Sequence, residues 1–269
     1  MKFFSLIICI VFLSCNGISK VLKSKDQDYK LRMAENYYAK KKWNFAQQLY
    51  EDVIPFYRGR PEFEDIYYKY AYTAYNQKDY INAENLFKTY IEVFPNSTRA
   101  EEMDFMRAYT FYKQSPKAAL DQTNTIKAMG MMQTFINTHP GSARIKEAND
   151  IIDASRAKLE LKDSRAAQLY FDLSQFRASA VAFAALLNTY PDSPKSDEYK
   201  LMSIKSYFRF AQLSVEEKKA ERFEKVVAEC MEFVERFPES AYAADVKEYL
   251  NLSQSNLKNI TNESSKTPA

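Results

Sequence analysis

The chain has 269 residues, of which 46% are apolar, 20 are Tyr, 19 are Phe and only 4 are Gly. This composition favours packed helices with aromatic seams over a β-rich fold, whose tight turns need more glycine. The 38 basic and 35 acidic residues lack the strong basic excess of a nucleic-acid-binding protein, and one His with three Cys supplies too few ligands for a structural zinc site.

The N-terminus has the pattern of a lipoprotein signal peptide. Lys2 precedes an apolar run over residues 3–13, which is too short to span a bilayer. Ser14 and Cys15 then resemble a lipobox, although Phe12 departs from the usual Leu. We therefore expect residues 1–14 to be removed and Cys15 to carry a covalent lipid, the only cofactor-like group that the sequence predicts; a plain secretory signal is the alternative.

The residues after Cys15 indicate where such an anchor would place the chain. Asn16 is not Asp, so the inner-membrane retention signal is missing, and an outer-membrane location facing the periplasm is expected. Residues 15–27 are predicted to be a lipidated N-terminus and tether. Lys20, Lys23 and Lys25 precede the first acidic residue of the chain, which favours contact with anionic headgroups. A solvated linker is the alternative.

A short phrase with Pro followed two residues later by Ser recurs along the chain. Proline ends a helix, and the serine can accept a hydrogen bond from an exposed N–H at the next helix start. The four copies begin at Pro95, Pro140, Pro191 and Pro238. Repeated phrases at such spacing are typical of helical repeat arrays.

Upstream of each proline, the spacing of small and bulky residues matches a TPR motif. The small residue allows two helices to approach closely, and the bulky residue four positions later fills the seam. The residues concerned are Ala46 with Tyr50, Ala83 with Phe87, Ala128 with Met132, Ser179 with Phe183, and Val226 with Cys230.

These patterns predict an all-α, TPR-like superhelical solenoid of about five helix pairs plus a C-terminal capping helix. The pairs are expected at residues 28–58, 62–95, 100–140, 145–191 and 196–238, and the cap at 241–257. The N-terminal half would cover residues 28–140 and the C-terminal half 141–257. Residues 258–269 are polar and are predicted to be disordered.

The first helices of repeats one to three carry aromatic residues at spacings of four and three, which place them on one helix face. We predict that they line a groove for an extended peptide, since Tyr offers an apolar ring and a wettable hydroxyl. Filling of helix–helix seams is the alternative. The residues are Tyr38, Tyr68, Tyr72, Tyr75, Phe105, Tyr109 and Tyr112.

In order along the chain, the motifs resemble the BamD family, the TPR lipoproteins of the β-barrel assembly machinery. The resemblance covers about residues 27–250. It rests on the Cys15 lipobox, the Pro-x-Ser phrases, residues 106–108 and 120–122, and residues 159–161 leading into 167–171 and then 176–180.

The resemblance implies a scaffold at the inner leaflet of the outer membrane. Its C-terminal repeats, about residues 166–257, would bind a POTRA domain of the barrel-shaped insertase, with Arg177 as the best single contact. Its N-terminal repeats would meet unfolded outer-membrane proteins.

No catalytic or metal-binding residues are predicted, because no phosphate loop, nucleophile elbow or HExxH motif occurs. We therefore expect no enzyme, no metal and no nucleic-acid partner. Two other functions stay open. One is a generic TPR lipoprotein that scaffolds envelope or cell-wall proteins. The other is a surface glycan-binding lipoprotein, for which Trp43 is the only Trp available.

Overall fold

The computed structural model describes the backbone of residues 18–264 and the side chains of residues 18–262. Eleven helices longer than two turns lie in this part of the chain, with no strand among them. In chain order they are α1 (Gln27–Ala39), α2 (Trp43–Tyr57), α3 (Phe63–Asn76), α4 (Tyr80–Val93), α5 (Ala100–Gln114), α6 (Thr123–Thr138), α7 (Ile145–Asp172), α8 (Phe176–Thr189), α9 (Ser196–Gln212), α10 (Glu216–Arg236) and α11 (Ala243–Ser264).

These helices form the five predicted pairs, α1–α2 to α9–α10, followed by α11, so the all-α TPR-like fold is confirmed. Several of these pairs are longer than the roughly 34 residues of a minimal TPR. The additional residues lie mainly in the 28-residue α7, the 21-residue α10 and the loop between Gln114 and Thr123.

The chain divides into two compact units, Met1–Arg156 and Ala157–Ala269, and the boundary falls within α7. The first unit has one continuous apolar core, and the second has two smaller clusters. The residues predicted to form the seams are at most 3% exposed. Close approach through the small residues therefore occurs in all five pairs.

Each Pro-x-Ser phrase ends one helix and prepares the next. The second helices of pairs two to five end two residues before the proline, and the intervening residue leaves the helical conformation, with φ between −124° and −129° and ψ between 57° and 62°. This conformation follows from the steric bulk of the proline ring, which disfavours a helical residue before it. The serine oxygen accepts a hydrogen bond from the backbone N–H two residues later at 3.0–3.1 Å, just ahead of the next helix.

Both ends of the described chain are more ordered than the sequence indicated. Residues 18–22 form a short helical segment in which Ile18 and Val21 are buried against the first pair. At the other end, α11 continues to Ser264, seven residues past the predicted end of the cap at 257. It does so because Leu257 and Ile260 pack against the last core cluster.

Candidate protein-binding surfaces

Five of the seven aromatic residues predicted to line a peptide groove lie in contact with one another in the first unit. Five rings form a chain of contacts from α3 to α5, with centroid distances of 4.8, 6.2, 6.4 and 5.9 Å between successive rings. They are Tyr68, Tyr72, Tyr75, Tyr109 and Tyr112, all partly exposed. We call these five residues the aromatic row.

The other two predicted groove residues, Phe105 and Tyr38, are not part of the aromatic row. Phe105 is fully buried, with its ring 5.4 Å from that of Phe135 and the Arg144 guanidinium 4.3 Å above its face. It therefore belongs to the seam between α5 and α6, which corrects the prediction that it lines the groove. Tyr38 is partly exposed, but it packs on Trp43 and Tyr50 rather than on the aromatic row.

Two hydroxyls of the aromatic row form hydrogen bonds within the protein. Tyr68 and Tyr72 both donate to the carboxylate of Glu102, from Tyr68 at 3.2 Å. Burial, reinforced by this carboxylate, raises the pKa of Tyr72. The ring faces rather than these two hydroxyls are thus left for a ligand.

Charged residues border the aromatic row on α1, α3 and α5. Lys69 binds Glu35 and Asp65, each at 2.7 Å, and Arg99 binds Asp65 at 3.0 Å. The Arg99 guanidinium also lies 4.3 Å from the ring centre of Tyr68. This network fixes the orientation of the first helices and gives the surface alternating charges beside its rings.

The second unit contains an apolar groove of about 700 Å³ formed by α7, α8 and α9. Its lining residues are Tyr170, Ser174, Gln175, Phe176, Arg177, Ala178, Val181, Ala182, Ala185 and Phe210. Val181 is 55% exposed, and Leu169 and Leu173 at the end of α7 are 56% and 60% exposed. Large apolar side chains grouped at this exposure are typical of a protein-binding site.

A second groove of about 660 Å³ shares Arg177 and Phe210 with the apolar groove and is lined mainly by charged residues of α10. There the Arg222 guanidinium lies 4.0 Å above the Phe210 ring, and Lys218 pairs with Glu221 at 3.0 Å. The sequence-predicted contact Arg177 therefore lies at the junction of an apolar and a charged surface.

Sequence reasoning found Arg177 but missed the groove beside it. The available signal was the spacing of Ala178, Ala182 and Ala185 by four and three residues, which places these lining residues on one face of α8. Only the structure shows that Tyr170 of α7 and Phe210 of α9 lie beside this face and form a groove with it.

His139, Trp43 and Cys230, which the sequence also singles out, lie in or beside helices. His139 at the end of α6 bonds to Asp104 at 3.2 Å, and Trp43 begins α2. Cys230 is buried, which raises the pKa of its thiol to about 12. Among residues 18–262, no group of three metal-ligating side chains occurs and no helix is long and apolar enough to span a membrane. Cys15 lies outside the described residues.

Comparison with known proteins yields one family. The family described as YfiO, outer membrane lipoprotein, matches residues 23–222. No curated protein matches the chain. Among 44 similar chains of solved structures is the TPR2AB domain of yeast Sti1 in a complex with an HSP90 peptide, at 10% identity and a TM-score of 0.42, covering 89% of this chain and 95% of that one.

Proposed function

The chain belongs to the outer membrane lipoprotein family YfiO, and we propose that it is a lipid-anchored, periplasm-facing TPR scaffold of the BamD type in the outer-membrane β-barrel assembly complex. In this proposal Cys15 carries the lipid, and the mature chain binds other proteins and catalyses no reaction.

The observation that carries this proposal is the apolar groove beside Arg177. An exposed groove lined by aromatic and small side chains, with a cation at its edge, suits a folded partner that inserts an apolar anchor. We assign this surface to a POTRA domain of the barrel-shaped insertase.

The aromatic row is the second binding surface of the proposal. Its ring faces present apolar area at low conformational cost, which suits an extended segment of an unfolded outer-membrane protein. The two surfaces lie in different units, so one chain can hold the insertase and a substrate by separate contacts.

Co-purification from detergent-solubilised envelopes tests the function. We expect the wild-type chain to retain a barrel-shaped outer-membrane protein with POTRA domains. Val181→Glu and Arg177→Glu should lose it, because they place negative charge in and beside the apolar groove. Val234→Glu is the matched control, since Val234 is 52% exposed on α10 and lines neither groove.

The same experiment separates the competing functions. Recovery of a peptidoglycan enzyme would favour the generic envelope scaffold, and binding of a glycan would favour the surface glycan-binding lipoprotein. Palmitate labelling of wild type and Cys15→Ala tests the anchor independently. Unchanged labelling in the variant would refute acylation at Cys15.

A further inference from the structure

The segment just after the proposed lipid anchor is packed against the body of the protein. Ile18 and Val21 are 7% and 3% exposed and join the core of the first unit. Leu22 borders a shallow pocket with Gln48 and Pro55 of α2. This segment is therefore held along α2 rather than projecting from it.

Hydrogen bonds continue this order into α1. The N–H of Ser24 donates to the carbonyl of Val21 at 3.0 Å, and the side chain of Ser24 accepts from the N–H of Asp26 at 3.1 Å. Asp26 then caps α1 by accepting from the N–H of Tyr29 at 2.8 Å. The chain is thus fixed from Ile18 onwards.

Covalent geometry limits how far the body can stand from an acylated Cys15. Ile18 follows Cys15 by three positions, and a chain extends by at most about 3.6 Å per residue, so the reach is roughly 11 Å. An anchor of this length holds the first helix pair at the bilayer surface.

The end of the first pair nearest this anchor is cationic. The Tyr57 hydroxyl donates to Asp28 at 2.5 Å, which places the end of α2 beside the start of α1. The exposed residues of this end include Lys23, Lys25, Arg58 and Arg60, together with Phe56, which is 57% exposed. We call these five residues the cationic end.

The nearby acidic groups are all exposed, and three of them already have partners within the chain. Asp26 caps α1, Asp28 accepts from Tyr57, and Asp52 pairs with Lys30, while Glu51 and Glu62 lie beside them. Among the residues that the structure describes, none forms an ion pair with Lys20, Lys23 or Lys25. Free cations beside an exposed aromatic ring are the chemistry that binds anionic headgroups at a membrane interface.

We propose that the cationic end docks on the anionic lipid surface and that the packed 18–22 segment fixes the first helix pair there. The lipid anchor would then hold the first helix pair in one orientation at the membrane, rather than act as a flexible tether. This proposal rests on acylation of Cys15, which is part of the proposed function.

The test uses the acylated full chain in vesicles of phosphatidylethanolamine and phosphatidylglycerol that contain a nitroxide headgroup lipid. A fluorophore is attached at Pro61→Cys beside the cationic end or at Ala39→Cys. Ala39 is exposed at the far end of α1, about 20 Å away at 1.5 Å per residue. We expect several-fold stronger quenching at position 61 than at position 39.

Two sets of variants identify the contacts responsible. The combined change Lys23→Glu, Lys25→Glu and Arg58→Glu should abolish most of the difference. Lys40→Glu, Lys41→Glu and Lys42→Glu change the net charge equally at the other end of α1 and should preserve it. Ile18→Ser with Val21→Ser should also reduce the difference, with thermal unfolding monitored to confirm an intact core.

The outcomes separate this proposal from the anchoring on which it depends. A chain that stays out of the vesicle fraction would overturn both. Vesicle-bound protein with equal quenching at the two positions, or with quenching unaffected by the first charge variant, would overturn the docking proposal alone.

Discussion

The Ser97 hydroxyl donates a hydrogen bond to the Glu64 carboxylate at 2.6 Å and accepts one from the backbone N–H of Arg99 at 3.0 Å. The same double contact joins the serine of every Pro-x-Ser phrase to an acidic residue on the first helix of its own repeat. The other pairs are Ser142 with Glu101, Ser193 with Glu160 and Ser240 with Asp197. Each turn is thereby tied to the start of one helix and to the side of another.

Ser97→Ala should destabilise the protein by about 1–3 kcal/mol, because it leaves one N–H unbonded and removes a hydrogen bond to a charged group. Denaturant unfolding measures this loss. Ser255→Ala on the exposed side of α11 is the control and should change stability by less than about 0.5 kcal/mol. An equal effect of both substitutions would contradict a structural role for the Ser97 contact.

This contact also predicts a pH dependence. Hydrogen bonds from Ser97 and Tyr90 lower the pKa of Glu64, so their stabilisation is fully present above the unfolded-state value of about 4.3. It is lost as the pH falls through the lower folded-state pKa. The stability difference between wild type and Ser97→Ala should therefore be largest near neutral pH and shrink below about pH 4.

Lys78 has a left-handed backbone conformation with φ of 63° in the turn between α3 and α4. A side chain in this region costs about 1–2 kcal/mol, part of which glycine recovers despite its larger unfolded-state entropy. Lys78→Gly should thus stabilise the protein by about 0.5–1 kcal/mol, visible as a higher denaturation midpoint. Lys88→Gly, within α4, is the contrasting control and should destabilise by about 1 kcal/mol.

The sequence predicted the helix pairs well because the signals involved are local. Proline disfavours the helical conformation one residue earlier, and the second helices of pairs two to five end at a fixed distance before it, as at Val93 and Thr138. The seams were also predicted from a local signal. A small residue and a bulky residue four positions later lie on one helix face.

The contacts between distant residues could not be predicted in this way. Ser97 and Glu64 are 33 residues apart, and Ser240 and Asp197 are 43 apart, so no local pattern pairs them. Phe105 shares its spacing with Tyr109 and Tyr112, yet it turns into the seam. A helix face is wide enough to hold both core and surface residues, and only the neighbouring helix decides which is which.

Lys200 is a buried cation on α9, with its side chain 3% exposed. It pairs with Glu229 at 2.6 Å and Glu232 at 2.7 Å. Lys200→Met should cost about 2–4 kcal/mol, because it leaves Glu229 buried with Lys225 as its only remaining cation. Lys200→Met with Glu229→Met should recover most of the loss. A double variant less stable than the single one would contradict this explanation.

The Lys200 contact has its own pH signature. Burial alone would raise the pKa of Glu229, but hydrogen bonds from Lys200 and Lys225 lower it overall. The pair therefore stabilises the fold above the unfolded-state pKa of about 4.3, and this contribution is lost as the pH falls through the lower folded-state value. Acid unfolding of wild type and Lys200→Met should converge at low pH.

The aromatic row gives a prediction that distinguishes packing from ligand binding. The Tyr72 ring lies 5.5 Å from Phe87 and 4.8 Å from Tyr68, and its hydroxyl bonds to Glu102. Tyr72→Ser should therefore lower the melting temperature clearly, by a loss approaching the roughly 3–5 kcal/mol typical of deleting a buried aromatic side chain.

Tyr112 packs against the same core as Tyr72 but makes fewer ring contacts. It is partly exposed at the end of the row, and its ring contact is with Tyr109 at 5.9 Å. Tyr112→Ser should lower the melting temperature less than Tyr72→Ser does, while weakening binding of a peptide that ends in an aromatic residue, as measured by fluorescence anisotropy. Tyr112→Phe, which keeps the ring, is the matched control and should retain affinity because the ring faces make the contact. Unchanged affinity in Tyr112→Ser, with a clear fall in its melting temperature, would show that even this exposed end of the row serves packing and that the peptide binds elsewhere.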